Sequence, residues 1–234
     1  MIKTQDAFNQ LQSQNVVTWT TLISGYVRNG HGKEALIYYK RMQNEGFSPN
    51  AFTFVSILKA CGIRRNICRG KETHAKIVKE GFLQKDILVA TALMDMYCKC
   101  GSIQEAQQVF DRVRVKDVVI WTSLISGYTE HGYAMKALNC YHIMQHNHIS
   151  PNAVTFSCIM KACSMTSELL GGQNIHADIV KQGYERELVV SNSLILMYSK
   201  FGRRNEALET FDSMLVRDAI SWSTLMACYA DAGL

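Results

Sequence analysis

Two groups of residues in this chain have the types and spacing for metal or redox chemistry. His142 and His146 stand four apart in a stretch of helical periodicity, with His148 just beyond, so two imidazoles share one face and could offer a metal two ligands. No second cluster of cysteine or aspartate completes that site, and the pair reads as an exposed helix end. Cys98-Lys99-Cys100 is a CxC beside a helix terminus, but the eight cysteines include no CxxC, and Cys61 and Cys163 recur in equivalent Lys-Ala-Cys segments. That is small-residue packing in a reducing compartment rather than a disulfide framework or a zinc site. His74 and His176 also recur in equivalent segments and read as structural. No metal, cofactor or small-molecule substrate is expected.

A third group does repeat in register. Residues 16–50 read VVTWTTLISGYVRNGHGKEALIYYKRMQNEGFSPN and residues 118–152 read VVIWTSLISGYTEHGYAMKALNCYHIMQHNHISPN, with a third copy opening at Ala219. The landmark tryptophans Trp19, Trp121 and Trp222 are 102 and then 101 residues apart. Such regular spacing is the signature of a repeat array, whose units bury their apolar faces only by stacking on neighbours.

Each long period divides into three helix pairs. Trp19, Leu22, Ile23 and Tyr26 fall at i, i+3, i+4 and i+7, which predicts a first helix with one buried face. Asn29-Gly30 can end it. A second helix carries Ala35, Leu36, Tyr39 and Met42, with Pro49 as breaker after Gly46. The place of the tryptophans on the apolar stripe assigns them to the core rather than to stacking platforms. Residues 51–86 and 153–187 share FxxxLKACG and GKETHAKIVKEGF-like segments, and residues 87–117 and 188–218 share ATALMDMYCKCG- and VFDRV-like segments. The units are thus 35, 36 and 31 residues long, then 35, 35 and 31; one extra residue between Gly81 and Thr91 accounts for the shift of the period. Segment 7–15, AFNQLQSQN, aligns with 109–117, VFDRVRVKD, so the chain is expected to be a fragment that opens inside a unit.

Composition agrees with a folded helical chain: 47% hydrophobic, 19% charged and two prolines. No apolar run approaches the ~18 residues of a membrane span, so no membrane partner is expected. A net charge of +5 leans toward a polyanionic partner, while a pI near 8.7 stays below the value of about 9 that would argue for nucleic acid by itself.

TWTTLISGY, EAL, PN, ATALMDMYCKCG and FDRVRVKDVVIW together resemble the pentatricopeptide repeat proteins, in particular the plant class of alternating P, L and S motifs. The resemblance implies an all-α, right-handed αα-superhelical solenoid of helix-turn-helix repeats. Its units would be a partial S motif (1–15), P (16–50), L (51–86), S (87–117), P (118–152), L (153–187), S (188–218) and a partial P motif (219–234). It also implies that each repeat reads one base of a single-stranded RNA, in a mitochondrion or chloroplast.

By the family's pattern the fifth and last residues of each motif read the base. The pairs are Thr20 with Asn50, Thr91 with Asp117, Thr122 with Asn152, and Asn192 with Asp218. An ionised aspartate suits guanine N1 and uracil N3, which are donors, and an asparagine amide suits adenine N1 and cytosine N3, which are acceptors. With the family's rule that a small hydroxyl at the fifth position favours purines and asparagine favours pyrimidines, the expected footprint is 5′-A-n-G-A-n-U-3′. The longer motifs offer Val55 with Asp86 and Ser157 with Glu187, which depart from the pattern and leave two bases undefined. The apolar second residues Val17, Leu88, Val119 and Val189 would wedge between bases. Arg28, Lys99 and Lys200 could meet phosphates, while Glu130 takes that place in the middle P motif, so salt dependence should be modest.

Without the resemblance, Thr20, Thr91 and Thr122 would read as capping residues near helix starts. Many proteins of this class carry a deaminase that turns cytidine into uridine with a zinc-bound water, HxE and CxxC. None of the seven histidines here is followed two residues on by glutamate, and CxxC is absent, so no catalysis is expected from this chain. Editing would need a part outside it or editing-factor proteins acting in trans. The leading expectation is recognition of an organellar editing site; the alternatives are transcript stabilisation or processing, and a helical-repeat scaffold for a protein partner.

Overall fold

The computed structural model describes Phe8, residues 14–166 and residues 169–230, and every regular element among them is an α-helix. Two compact units divide the chain at residues 116 and 117. The first holds α1 (Val16–Arg28), α2 (Gly32–Asn44), α3 (Ala51–Arg64), α4 (Ile67–Lys79), α5 (Phe82–Lys85), α6 (Ile87–Lys99) and α7 (Ile103–Arg112). The second holds α8 (Val118–Glu130), α9 (Ala134–His146), α10 (Ala153–Ser164), α11 (Leu169–Lys181), α12 (Leu188–Lys200), α13 (Arg204–Ser213) and α14 (Ala219–Ala230). Segment 1–15, expected to be a partial motif, lies outside the described residues except for Phe8, Gln14 and Asn15.

Within each unit the first helices of successive pairs pack side by side, α1 on α3 and α3 on α6 in one, α8 on α10, α10 on α12 and α12 on α14 in the other. Each second helix packs on the first helix of its own pair. The buried stripe explains the order. Trp19, Ile23, Phe54, Ile57, Leu58 and Leu93 are fully buried in the first unit, and Leu124, Ile125, Phe156, Ile159, Leu194 and Ile195 in the second. Burying such side chains contributes about 1.5–3 kcal/mol each relative to exposure, and a lone helix pair has no second surface to bury them on.

The one-residue difference between the long segments has a local form. In the first copy residues 82–85 make a short helix, whereas after Gly183 the second copy turns straight into α12. His74 and His176 hold the same contact in both copies. Nδ1 of each meets a tyrosine hydroxyl, Tyr97 at 2.8 Å and Tyr198 at 2.7 Å, and burial lowers both histidine pKa values. They are structural, as the recurrence implies. His142 and His146 lie exposed on α9. None of the eight cysteines is in a disulfide.

The tryptophans divide. Trp19 and Trp121 are buried, but Trp222 is 53% exposed, which corrects its assignment to the core. Trp19 is covered by Arg41 on α2 and by Phe47 just after it. Trp222 rests edge-on against Phe211 at 4.8 Å, and among the described residues no counterpart of α2 packs over α14 to cover its other side.

Glycine in the left-handed region follows seven of the fourteen described helices, Gly46 (φ 83°) after α2 among them. The equivalent place after α9 is His148 at φ 56°, where a Cβ costs about 1–2 kcal/mol. Replacing His148 with Gly should therefore raise stability by up to about 1 kcal/mol, the backbone entropy of glycine offsetting part of the gain. Nothing lies within 4 Å of a Cβ placed at Gly46, so Gly46→Ala should lose about 1 kcal/mol through backbone strain alone. Thermal melts of the two variants check both signs.

Candidate functional site

The α-helix leaves its first N–H groups without partners, and the sequence fills that need in a way that also places the candidate base-reading residues. Asn50 ends one segment and is the N-cap of α3; its Oδ1 accepts from the Thr53 N–H at 2.9 Å. Asn152 does the same for α10 through Thr155, also at 2.9 Å. Asp117 caps α8 with Oδ1 accepting from Val119 and Ile120, each at 3.0 Å. Asp218 Oδ1 accepts from Ser221 N–H at 2.8 Å ahead of α14. That backbone bond, then the Ser221 hydroxyl, holds the Asp218 carboxyl below the usual aspartate range.

This corrects the capping reading of Thr20, Thr91 and Thr122. The fifth residue lies one turn inside its helix, where the backbone N–H groups already have intrahelical acceptors. Thr91 and Thr122 instead donate back to the carbonyls of Ile87 and Val118, at 2.8 and 2.7 Å. The caps are the last residues of the segments, and capping leaves each with polar capacity to spare. An amide whose oxygen is fixed on a backbone N–H must turn its NH2 the other way; Asn50 and Asn152 have no partner for Nδ2 among the described residues. A carboxylate capping through Oδ1 keeps Oδ2 as an acceptor, which is the case at Asp117.

The fifth and last residues meet within each unit. In the first, Thr20 Oγ1 is 2.6 Å from Thr53 Oγ1, which is 2.9 Å from Asn50 Oδ1. In the second, Thr122 Oγ1 is 2.7 Å from Thr155 Oγ1, which is 3.0 Å from Asn152 Oδ1. Asn192 bonds Asp218 directly, Nδ2 to Oδ1 at 3.3 Å, and its own Oδ1 is buried with no partner among the described residues. Thr91 belongs to the first unit and Asp117 to the second. In the longer segments Asp86 caps α6 by accepting from Leu88 and Val89, whereas Glu187 makes no side-chain cap to α12.

The wedge candidates are solvent-facing at the first turn: Val17 is 67% exposed, Leu88 56%, and Val119 and Val189 48%. Phe52, Val154 and Ile220, which the sequence reading passed over, are exposed at the same second position. Counting that position through every segment, not only those with a readable pair, finds them. Between α1 and α3, Val17, Thr20, Asn50 and Phe52 line a groove of about 570 Å³ that runs on to Lys59 and Arg28. Lys59 is another residue the sequence reading missed. Arg28 and Lys200 are exposed, and Lys99 is held by Asp95 at 2.7 Å. An exposed pair of that kind is worth under about 1 kcal/mol, so Lys99 can exchange Asp95 for another anion at small cost.

Models of the PPR repeat family match residues 14–62 and 116–165, and a PPR repeat model matches residues 89–118 and 189–218. A chloroplastic pentatricopeptide repeat-containing protein of Arabidopsis thaliana is 34% identical over 227 residues, covering 97% of this chain and 37% of its own length. A putative mitochondrial one from the same plant is 36% identical over 226 residues, covering 97% and 36%. This chain therefore spans little more than a third of those relatives. Among solved structures, maize pentatricopeptide repeat protein PPR10 in complex with an 18-nucleotide psaJ RNA element superposes with a TM-score of 0.78 at 20% identity, over 95% of this chain and 34% of that one.

Because Asn50 caps α3 through Oδ1, Asn50→Ala should cost about 1 kcal/mol while Asn50→Asp, an equally good cap, should leave stability nearly unchanged. Equal losses in a thermal melt would place the Asn50 amide elsewhere.

Proposed function

We propose that this chain, which belongs to the pentatricopeptide repeat family, binds single-stranded RNA sequence-specifically, one base to each helix pair, with the footprint 5′-A-n-G-A-n-U-3′. The observation that carries the reading is the spare polar edge of each capping residue. Asn50 and Asn152 keep a free NH2, a donor for adenine N1. Asp117 and Asp218 cap through Oδ1, which leaves Oδ2 as acceptor for guanine N1 or uracil N3. A helix needs only that its cap accept a hydrogen bond, so stability alone gives no reason for the beginnings of α3 and α10 to end on a donor and those of α8 and α14 on an acceptor.

The exposed apolar residues at every second position support the same reading, since each would otherwise leave apolar surface in water with nothing to cover it. A base slotted between Val17 and Phe52 would be gripped on both faces with its Watson–Crick edge toward Thr20 and Asn50. Arg28, Lys59, Lys99 and Lys200 supply cations for the backbone. With this few cations, affinity should fall only modestly with salt.

The relatives named chloroplastic and mitochondrial support work in one of those organelles. Through the resemblance to the plant class of alternating motifs, the 35-, 36- and 31-residue segments favour recognition of a cytidine-to-uridine editing site, with the chemistry performed by a deaminase that this chain's residues do not supply.

Fluorescence anisotropy with RNA carrying A-n-G-A-n-U, and with the same RNA carrying G in place of U, tests the assignment. Wild type should prefer U by about tenfold, given about 1–3 kcal/mol per base contact, and Asn192→Thr should prefer G. Absence of any preference in both folded proteins would turn attention to a protein-binding scaffold.

A further inference from the structure

Thr53 and Thr155 stand outside every pair assigned to base reading, yet each touches both members of the pair before it. Both are fully buried, so neither can meet RNA. Thr53 Oγ1 contacts Thr20 Oγ1 at 2.6 Å and Asn50 Oδ1 at 2.9 Å; Thr155 Oγ1 contacts Thr122 Oγ1 at 2.7 Å and Asn152 Oδ1 at 3.0 Å. We propose that these two buried threonines are positioning residues that set each site to accept an amino base, adenine or cytosine, and to reject a keto base, guanine or uracil. The inference rests on the RNA-reading function proposed above.

A hydroxyl carries one hydrogen. Asn50 Oδ1 can only accept, so the contact from Thr53 to it uses the Thr53 hydrogen, and the 2.6 Å contact must then use the hydrogen of Thr20. Thr20 is left with lone pairs to offer a ligand, and the amide oxygen, held by both the N–H and the hydroxyl of Thr53, leaves only Nδ2 facing out. In the second unit the Thr122 hydrogen goes either to Thr155 or to the Val118 carbonyl, at 2.7 Å each, and is spent inside the protein in both cases. What remains is one donor beside one acceptor. Adenine and cytosine present the complement, a ring nitrogen that accepts beside an amino group that donates. Guanine and uracil present the reverse.

The segments ending in aspartate show the other half of the pattern. After Asp86 and Asp117 the equivalent third residues are Val89 and Ile120, which have no hydroxyl. A carboxylate is the same in both orientations and needs no such lock; an amide has two unlike ends and does. After Asp218 the third residue is Ser221, whose hydroxyl also bonds the capping Oδ1, at 2.9 Å.

The test is the ratio of affinities for RNA with A or G at the first base, read by Thr20 and Asn50, and separately at the fourth, read by Thr122 and Asn152. Anisotropy would compare wild type, T53V, T53S and T155V, with circular dichroism confirming the helical fold. Valine keeps the buried shape and removes the hydroxyl, which frees the Thr20 hydrogen to turn outward toward guanine O6. T53V should lower the A-over-G ratio at the first base about tenfold and leave the fourth unchanged, and T53S should restore it. In T155V the Val118 carbonyl, 2.7 Å from Thr122 Oγ1, keeps the Thr122 hydrogen, so the fourth-base ratio should fall by less than the first-base ratio falls in T53V, with the first base unchanged. An unchanged first-base ratio in folded T53V, or an equal loss of affinity for both RNAs, overturns the proposal while leaving RNA reading intact. A wild type with no preference at either base overturns both.

Discussion

The structure depends on the beginning of a helix being short of hydrogen-bond acceptors. Fourteen helices are packed into the described residues, and each start exposes N–H groups that the helix itself cannot satisfy. At six of the seven first helices the residue that ends the preceding segment supplies the acceptor with a side-chain oxygen, namely Asn15, Asn50, Asp86, Asp117, Asn152 and Asp218, while Glu187 before α12 does not. A cap is held at a fixed place and angle relative to its helix. Successive first helices pack side by side within each unit, so the caps line up along the packed row, with a break at α12.

Regular placement by itself would be only architecture. Chemistry enters because asparagine and aspartate cap equally well yet leave opposite groups unsatisfied, a donor in one case and an acceptor in the other. Stability is indifferent to the choice, so the choice is free to carry information about a ligand. The same division of labour is seen in the neighbouring residue types. Apolar side chains in the first turn stay exposed at the second position, while the third position after Asn50 and Asn152 is buried and carries a hydroxyl beside the capping amide.

Much of the helical order was legible in the chain because the pattern is stated more than once: the 102-residue offset aligned tryptophans, glycines and Lys-Ala-Cys segments without any need to judge one helix alone. The fifth and last residues were named through the resemblance to the family, and the repeat only located them in each copy. Their connection was not legible. Thr53 lies in the segment after the pair it joins, and nothing in the sequence says that residue 3 of one helix reaches residue 5 of the one before; that follows from side-by-side packing of α1 on α3. The Asn-x-x-Thr pattern at 15–18, 50–53 and 152–155 was nevertheless a readable capping signal. Trp222 misled for a related reason. Its place on an apolar stripe predicts burial only if a second helix covers it, and periodicity along one helix contains no information about the neighbour.

The claim on which the rest turns is that the Asn50 amide both caps α3 and donates to the Watson–Crick edge of an adenine. It is tested most directly by changing one atom of the RNA, comparing anisotropy titrations of wild type with adenosine, 1-deazaadenosine and 7-deazaadenosine at the first base. Removing N1 should weaken binding about tenfold, the loss of one hydrogen bond worth about 1–1.5 kcal/mol, and removing N7 should change nothing. Equal binding of all three RNAs would contradict the account and reduce the recurring asparagines to helix caps.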